Sequence, residues 1–205
     1  MTAPAQALER IAAARLIAIV RTGDLDDALR VTESLVGTGI GIVEYSLAGD
    51  AALAAIRACR ERFGDAMLLG AGTVLTGQQA AVAVDAGAEF LIAPNVDEEV
   101  MESASGLGVL HIPGALTPTE IAFATRLGAT AVKLFPAARL GATYVRDLRG
   151  PLPGLRLIAT GGVSAANAGE FLEAGCIAVA AGGALASGDS DAARALVAVT
   201  SPFDG

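Results

Sequence analysis

Eight short apolar runs recur along the chain, and this recurrence limits the fold more than any single residue does. They are LIAIVR (16–21), GIVEYSL (41–47), LLGAGTV (68–74), FLIAPN (90–95), VLHIPGA (109–115), AVKLFPA (131–137), RLIATGG (156–162) and CIAVAAGG (176–183). The runs are continuous in character rather than alternating, which suits parallel strands buried on both faces. The segments between them carry a helical pattern. In DAALAAIRACRERFG, Leu53, Ile56, Cys59 and Phe63 recur at spacings of three and four, while Arg57, Arg60, Glu61 and Arg62 largely take the other side. TPTEIAFATRLG opens with a capping box: Thr117 is the N-cap, Pro118 the first helical residue and Glu120 the third, and Gly128 ends the helix. VSAANAGEFLEAG is expected to start with Ser164 as its cap and to stop at Gly175. Eight strand–helix units in 205 residues predict an α/β chain of one domain, residues 1–205, built as a (β/α)8 TIM barrel near that fold's lower size limit. Residues 1–15 would form an extra N-terminal helix closing the bottom of the barrel. A doubly wound open sheet is the competing architecture. The count of eight, and the lack of a GxGxxG after the first run, favour the barrel.

Composition narrows the partners. The chain is 53% hydrophobic and only 18% charged, so a large core together with subunit contacts is expected. No apolar run approaches the roughly 18 residues a membrane span needs. The net charge of −8 argues against a nucleic-acid or anionic-membrane surface. An anionic small molecule remains compatible, because backbone N–H groups can bind it locally. The N-terminal stretch lacks a signal-peptide layout, and a cytoplasmic chain is the expectation. Cys59 and Cys176 share no metal-type spacing and read as buried reduced thiols. With one histidine, His111, a zinc site of His or Cys type is not expected, and His111 itself reads as a core or rim residue.

In a barrel of this type the active site lies at the C-terminal ends of the strands. Those ends carry Arg21, Glu44, Thr73, Pro94 with Asn95, Pro113 with Gly114, Lys133, Thr160 with Gly161 and Gly162, and Gly182 with Gly183. Glu44 and Lys133 are charges set inside apolar runs, where desolvation costs several kcal/mol unless the charge is paired or used. Lys133 is also the single lysine among 14 basic residues, the other 13 being Arg. One reading is a buried ion pair, although Arg is usually preferred there. The other is imine chemistry. A desolvated lysine can become a neutral amine and attack a carbonyl, with Glu44 moving the protons. The glycine pairs in TGGVS and AGGAL either permit tight turns or present N–H groups to a phosphate or carboxylate. They follow the seventh and eighth runs, where barrels often bind phosphate, and the first leads into the expected Ser-capped helix.

GAGTVL (70–75), PGALTPTE (113–120), VKLFPA (132–137), ATGGV (159–163) and the glycine pair at 182–183 resemble one family. It is the class I 2-keto-3-deoxy-6-phosphogluconate aldolases with the related 4-hydroxy-2-oxoglutarate aldolases. The resemblance runs in order from about residue 16 to residue 186. It implies a barrel, usually trimeric, that uses no metal and no cofactor. Its reaction would cleave a 2-keto acid to pyruvate and an aldehyde, glyceraldehyde 3-phosphate or glyoxylate. By matching positions, Lys133 takes the imine-forming role and Glu44 the acid/base role. Thr73 would contact the pyruvate part, and Phe135 is the aromatic beside the lysine. Thr160, Gly161, Gly162, Gly182 and Gly183 match substrate and phosphate-binding turns, and Pro94 matches the substrate site through a P-N pair. The expected partner is a small 2-keto acid, phosphorylated, and the expected assembly a homotrimer.

One position departs from the pattern. Many phosphogluconate-type relatives carry Arg after the Leu of E-x-T-L, where this chain has Ala48 followed by Gly49. Arg21, at the end of the first run, is the substitute for that guanidinium, or else a surface cation. A first-strand Arg without the later one is similar to the phosphogalactonate branch. Competing readings are a phosphate-binding isomerase or epimerase, a non-catalytic sugar-acid sensor, and a Schiff-base decarboxylase of small β-keto acids. The first two would have little use for a desolvated amine.

Overall fold

Among the described residues, 2–183, 185 and 187–201, the computed structural model contains nine strands and nine α-helices. Met1 and residues 202–205 of the expected domain lie outside that set, as do Ala184 and Ala186. The strands are β1 (Leu16–Val20), β2 (Ile42–Ser46), β3 (Leu68–Gly72), β4 (Phe90–Ile92), β5 (Leu110–Ile112), β6 (Gly114–Ala115), β7 (Val132–Leu134), β8 (Leu157–Thr160) and β9 (Ala178–Ala181). The helices are α1 (Pro4–Ala14), α2 (Leu25–Gly37), α3 (Ala52–Phe63), α4 (Gly77–Asp85), α5 (Glu98–Gly106), α6 (Pro118–Arg126), α7 (Ala137–Arg149), α8 (Ala168–Glu173) and α9 (Ser190–Thr200).

Every strand pair is parallel, and the order is β5-β4-β3-β2-β1-β9-β8-β7-β6. The two ends of that order, β5 and β6, are the two parts of one run, separated only by Pro113. Proline has no N–H to give to a ladder, so the run breaks there. Its first part pairs with β4 and its second with β7. The ninth strand is therefore a division of the fifth barrel position, and the ring closes with eight. A doubly wound sheet would place later strands on both sides of the first and leave two open edges. The strands here follow one another around a ring.

Alternation along the strands separates two cores. Ile17, Ile42, Leu68, Phe90, Leu110, Ile158 and Ala178 point into the barrel, where Ala7, Leu8 and Ile11 of α1 join them. Helix α1 thus plugs the N-terminal end, as expected of residues 1–15. Val43, Leu69, Leu91, Leu134, Leu157 and Val179 point outward into the second core, against the helices. Each fully buried Leu or Ile adds about 1.5–3 kcal/mol of transfer free energy. These apolar layers fill the lower barrel, and polar residues on the same inward face appear only toward the top.

The local signals hold at α6, where the Thr117–Glu120 capping box forms and Pro118 opens the helix. They fail at α8. That helix spans only Ala168–Glu173, its N-cap is Asn167, and Ser164 does not cap it with its side chain. The Ser164 N–H instead donates to Asn167 Oδ1 at 2.9 Å, and the Asn167 amide donates to the Gly162 carbonyl at 3.0 Å. Asn167 thus ties down a turn that the cap reading assigned to the helix.

Candidate active site

The inward-facing residues continue upward in steps of two. Ile17 leads to Ile19 and Arg21, Ile42 to Glu44, Ala131 to Lys133 and Phe135, Ile158 to Thr160, and Ala178 to Ala180 and Gly182. Together these upper residues line a cavity of about 630 Å³ at the C-terminal ends of the strands. Thr73, Pro94, Gly161, Gly162 and Gly183 complete the wall. The structure thereby brings all the residues singled out for the site into one pocket. Asn95, Pro113 and Ala48 are not part of its lining, and His111 lies on the outward face of β5. The wall also includes Ile19, Val163 and Ala180, together with Ser164, which the sequence places at a helix cap and not in the site.

The two central charges are buried, with Glu44 2% exposed and Lys133 6%. They form no ion pair with each other, and Glu44 Oε2 has no hydrogen-bond partner among the described residues. The Lys133 ammonium lies 5.0 Å from the centre of the Phe135 ring. Burial lowers the proton affinity of Lys133, the Glu44 charge opposes that, and the Arg21 guanidinium adds to it. Burial raises the proton affinity of Glu44, while Lys133 and Arg21 pull it back. Each group is thus moved toward its neutral form. That is the state a nucleophilic amine and a proton-donating acid require.

The upper rim is built by turns. Thr73, directly after β3, adopts φ 60, a left-handed conformation that is rare for a β-branched residue. Such strain costs about 1–3 kcal/mol and is found mainly at functional sites. The Thr73 hydroxyl lies 2.9 Å from the Ser46 hydroxyl, a hydrogen bond that orients it toward the end of β2. On the far side, Gly161 has φ +91, and an added Cβ would stand 2.9 Å from the Phe135 ring. No acceptor among the described residues takes the N–H of Gly162, Val163 or Gly183. These donors are available to an anion.

The family model described as "Aldolase: KDPG and KHG aldolase" matches residues 8–199. The chain belongs to this family.

Similar members of the KDPG and KHG aldolase family come from several bacteria. The 2-dehydro-3-deoxy-6-phosphogalactonate aldolase of Escherichia coli K12 is 35% identical over 162 residues, covering 78% of this chain and 79% of its own length. The 2-dehydro-3-deoxy-phosphogluconate aldolase of Treponema pallidum is 38% identical over 168 residues, covering 82% and 78%. The solved KDPG aldolase of Legionella pneumophila, with pyruvate captured as a covalent carbinolamine intermediate, superposes with a TM-score of 0.82. It is 27% identical and covers 97% of both chains.

Outside the aldolase pocket the remaining reactive groups are quiet. Cys59 and Cys176 are free and buried. Burial raises the proton affinity of both thiols, that of Cys176 up to about 12. No cluster of His, Cys, Asp and Glu among the described residues could hold a metal ion. None of the described helices is long and apolar enough to cross a membrane.

Proposed function

We propose that this chain is a class I aldolase that cleaves a phosphorylated 2-keto-3-deoxy sugar acid, or 4-hydroxy-2-oxoglutarate, to pyruvate and an aldehyde. The observation that carries the reading is a sole lysine, buried and biased toward its neutral amine, facing a buried carboxylate biased toward its acid. The Lys133 amine attacks the C2 carbonyl, and the Glu44 acid gives its proton to the hydroxyl of the resulting carbinolamine, so that water leaves behind a protonated imine and a Glu44 carboxylate. Glu44 takes the proton of the C4 hydroxyl as the C3–C4 bond breaks. The bond's electron pair moves into the imine to give an enamine, and the aldehyde departs. Protonation of the enamine at C3 and hydrolysis then release pyruvate and the free amine. Thr73 and Phe135 would hold the pyruvate part. Arg21 and the turns at Thr160–Gly162 and Gly182–Gly183 would hold the distal anion.

A phosphogalactonate-type substrate is a second reading. It is favoured by Arg21 in the cavity wall while Ala48 offers no guanidinium, and by the similarity to the Escherichia coli phosphogalactonate aldolase. We further propose that the protein works as a cytoplasmic homotrimer. Leu75 and Leu116, 46% and 37% exposed, are apolar side chains for subunit contacts, and light scattering would give the copy number.

Borohydride trapping with pyruvate, read by peptide mass spectrometry, tests the chemistry. The chain's only amines are Lys133 and the N-terminus. A reduced pyruvate adduct on the Lys133 peptide is expected. Its absence with pyruvate in excess would overturn the imine mechanism.

A further inference from the structure

Glu44 is paired in register with Gly70 of β3, and Ser46 with Gly72. Side chains in strands lean along the strand, and the Glu44 carboxylate reaches past Gly70 to lie against Gly72. A Cβ added at Gly72 would fall 2.6 Å from Glu44 Cγ and nearer still to its Cδ and Oε1. The carboxylate therefore occupies the volume that any other residue at this position would fill. Conformational freedom is not the reason for glycine here, because Gly72 is not among the residues with positive φ. Among the described residues no hydrogen bond fixes the carboxylate either, and its buried Oε2 has no partner there.

We propose that Gly72 is a positioning residue for proton transfer: its missing side chain is the slot that aims the Glu44 carboxylate at Lys133. The proposal rests on Glu44 being the acid/base group. Donors clamped on the carboxylate would stabilise its ionised form and occupy the lone pairs that must exchange protons. A slot holds the group in place by shape alone and leaves both oxygens free.

The experiment uses pyruvate as the probe. Exchange of its C3 protons in deuterium oxide is followed by NMR, and borohydride trapping reports imine formation. Gly72→Ala is expected to slow exchange by about 100-fold, within the range for a displaced acid/base group, while the trapped adduct on Lys133 persists. It should lower the thermal midpoint of the parent but not of Glu44→Ala, where the clashing atoms are gone. If Gly72→Ala does not fold, recovery of folding in the double variant supports the slot. Exchange at the parent rate in Gly72→Ala, or an equal loss of stability in both backgrounds, overturns the proposal. Glu44→Gln separates the two levels. If that variant exchanges protons like the parent, the acid/base reading of Glu44 is what has failed.

Discussion

His111, the chain's single histidine, makes one part of the acid response of this barrel calculable. It is 8% exposed, and neither ring nitrogen has a partner among the described residues. Burial pushes its pKa from 6.5 to about 4, with Asp97 pulling the other way. The unfolded chain takes up this proton as the pH falls through 6.5, whereas the folded chain refuses it until about 4. Stability from the neutral ring is thus fully present above 6.5, is lost as the pH falls between those values and levels off below about 4. At about 1.4 kcal/mol per pH unit the loss reaches about 3 kcal/mol, against a typical total of about 5–15 kcal/mol. Carboxylates titrate in the same range, so the assay is a comparison. Urea unfolding followed by circular dichroism, from about pH 8 to about pH 4, would be run on the parent and on His111→Leu. The parent should lose about 3 kcal/mol more than the variant over that span. Parallel curves would refute the argument, because they would mean the ring takes its proton equally well in both states. The variant has a second use. An acid loss of turnover that persists in His111→Leu does not come from protonation of this ring.

Three substitutions test the site directly. Lys133→Arg should abolish cleavage and the borohydride adduct while the far-ultraviolet spectrum and thermal midpoint stay close to the parent's, and near-normal turnover would sink the imine mechanism. Arg21→Ala should raise KM for the keto acid by about 10–100-fold, the worth of a charge-assisted hydrogen bond, with kcat little changed. An unchanged KM would remove Arg21 from the site. Ser46→Ala takes away the partner of the Thr73 hydroxyl and should weaken substrate binding by about 1 kcal/mol, or roughly five-fold in KM. No change would mean that Thr73 needs no such support.

The barrel was legible because its signals are local. Continuous apolar runs mark parallel strands, and Glu44 and Lys133 stand out as charges within them. Alternation then carries the reading to the cavity, since every second residue of a strand shares a face. What escaped depends on register between distant strands. Nothing near Gly72 in the chain reveals that residue 44 needs its space, because that follows from the β2–β3 pairing. The Ser46–Thr73 hydroxyl pair is hidden for the same reason. Val163 and Ser164 enter the wall because their turn is pinned by Asn167, a competing local bond that propensity, which ranks Asn and Ser alike as caps, does not decide. Pro113 was visible as a residue, but its effect on the ring was not. Breaking one run between two neighbours only has meaning once both neighbours are known.

That break has a consequence for how the enzyme could be taken apart. The strand order consists of two stretches, each contiguous in sequence: β1 to β5 before Pro113, and β6 to β9 after it. Arg21, Glu44, Thr73 and Pro94 come from the first, while Lys133, Phe135 and the glycine turns come from the second. In the proposed mechanism the first half would supply the proton shuttle and Arg21, and the second the imine-forming lysine and the glycine turns. Among the described residues they share a strand ladder where β1 meets β9, and beside Pro113 the Gly114 N–H also donates to the Asn95 carbonyl at 3.2 Å. Two fragments cut there would each be chemically mute, and activity on mixing them would report the moment the halves zip together.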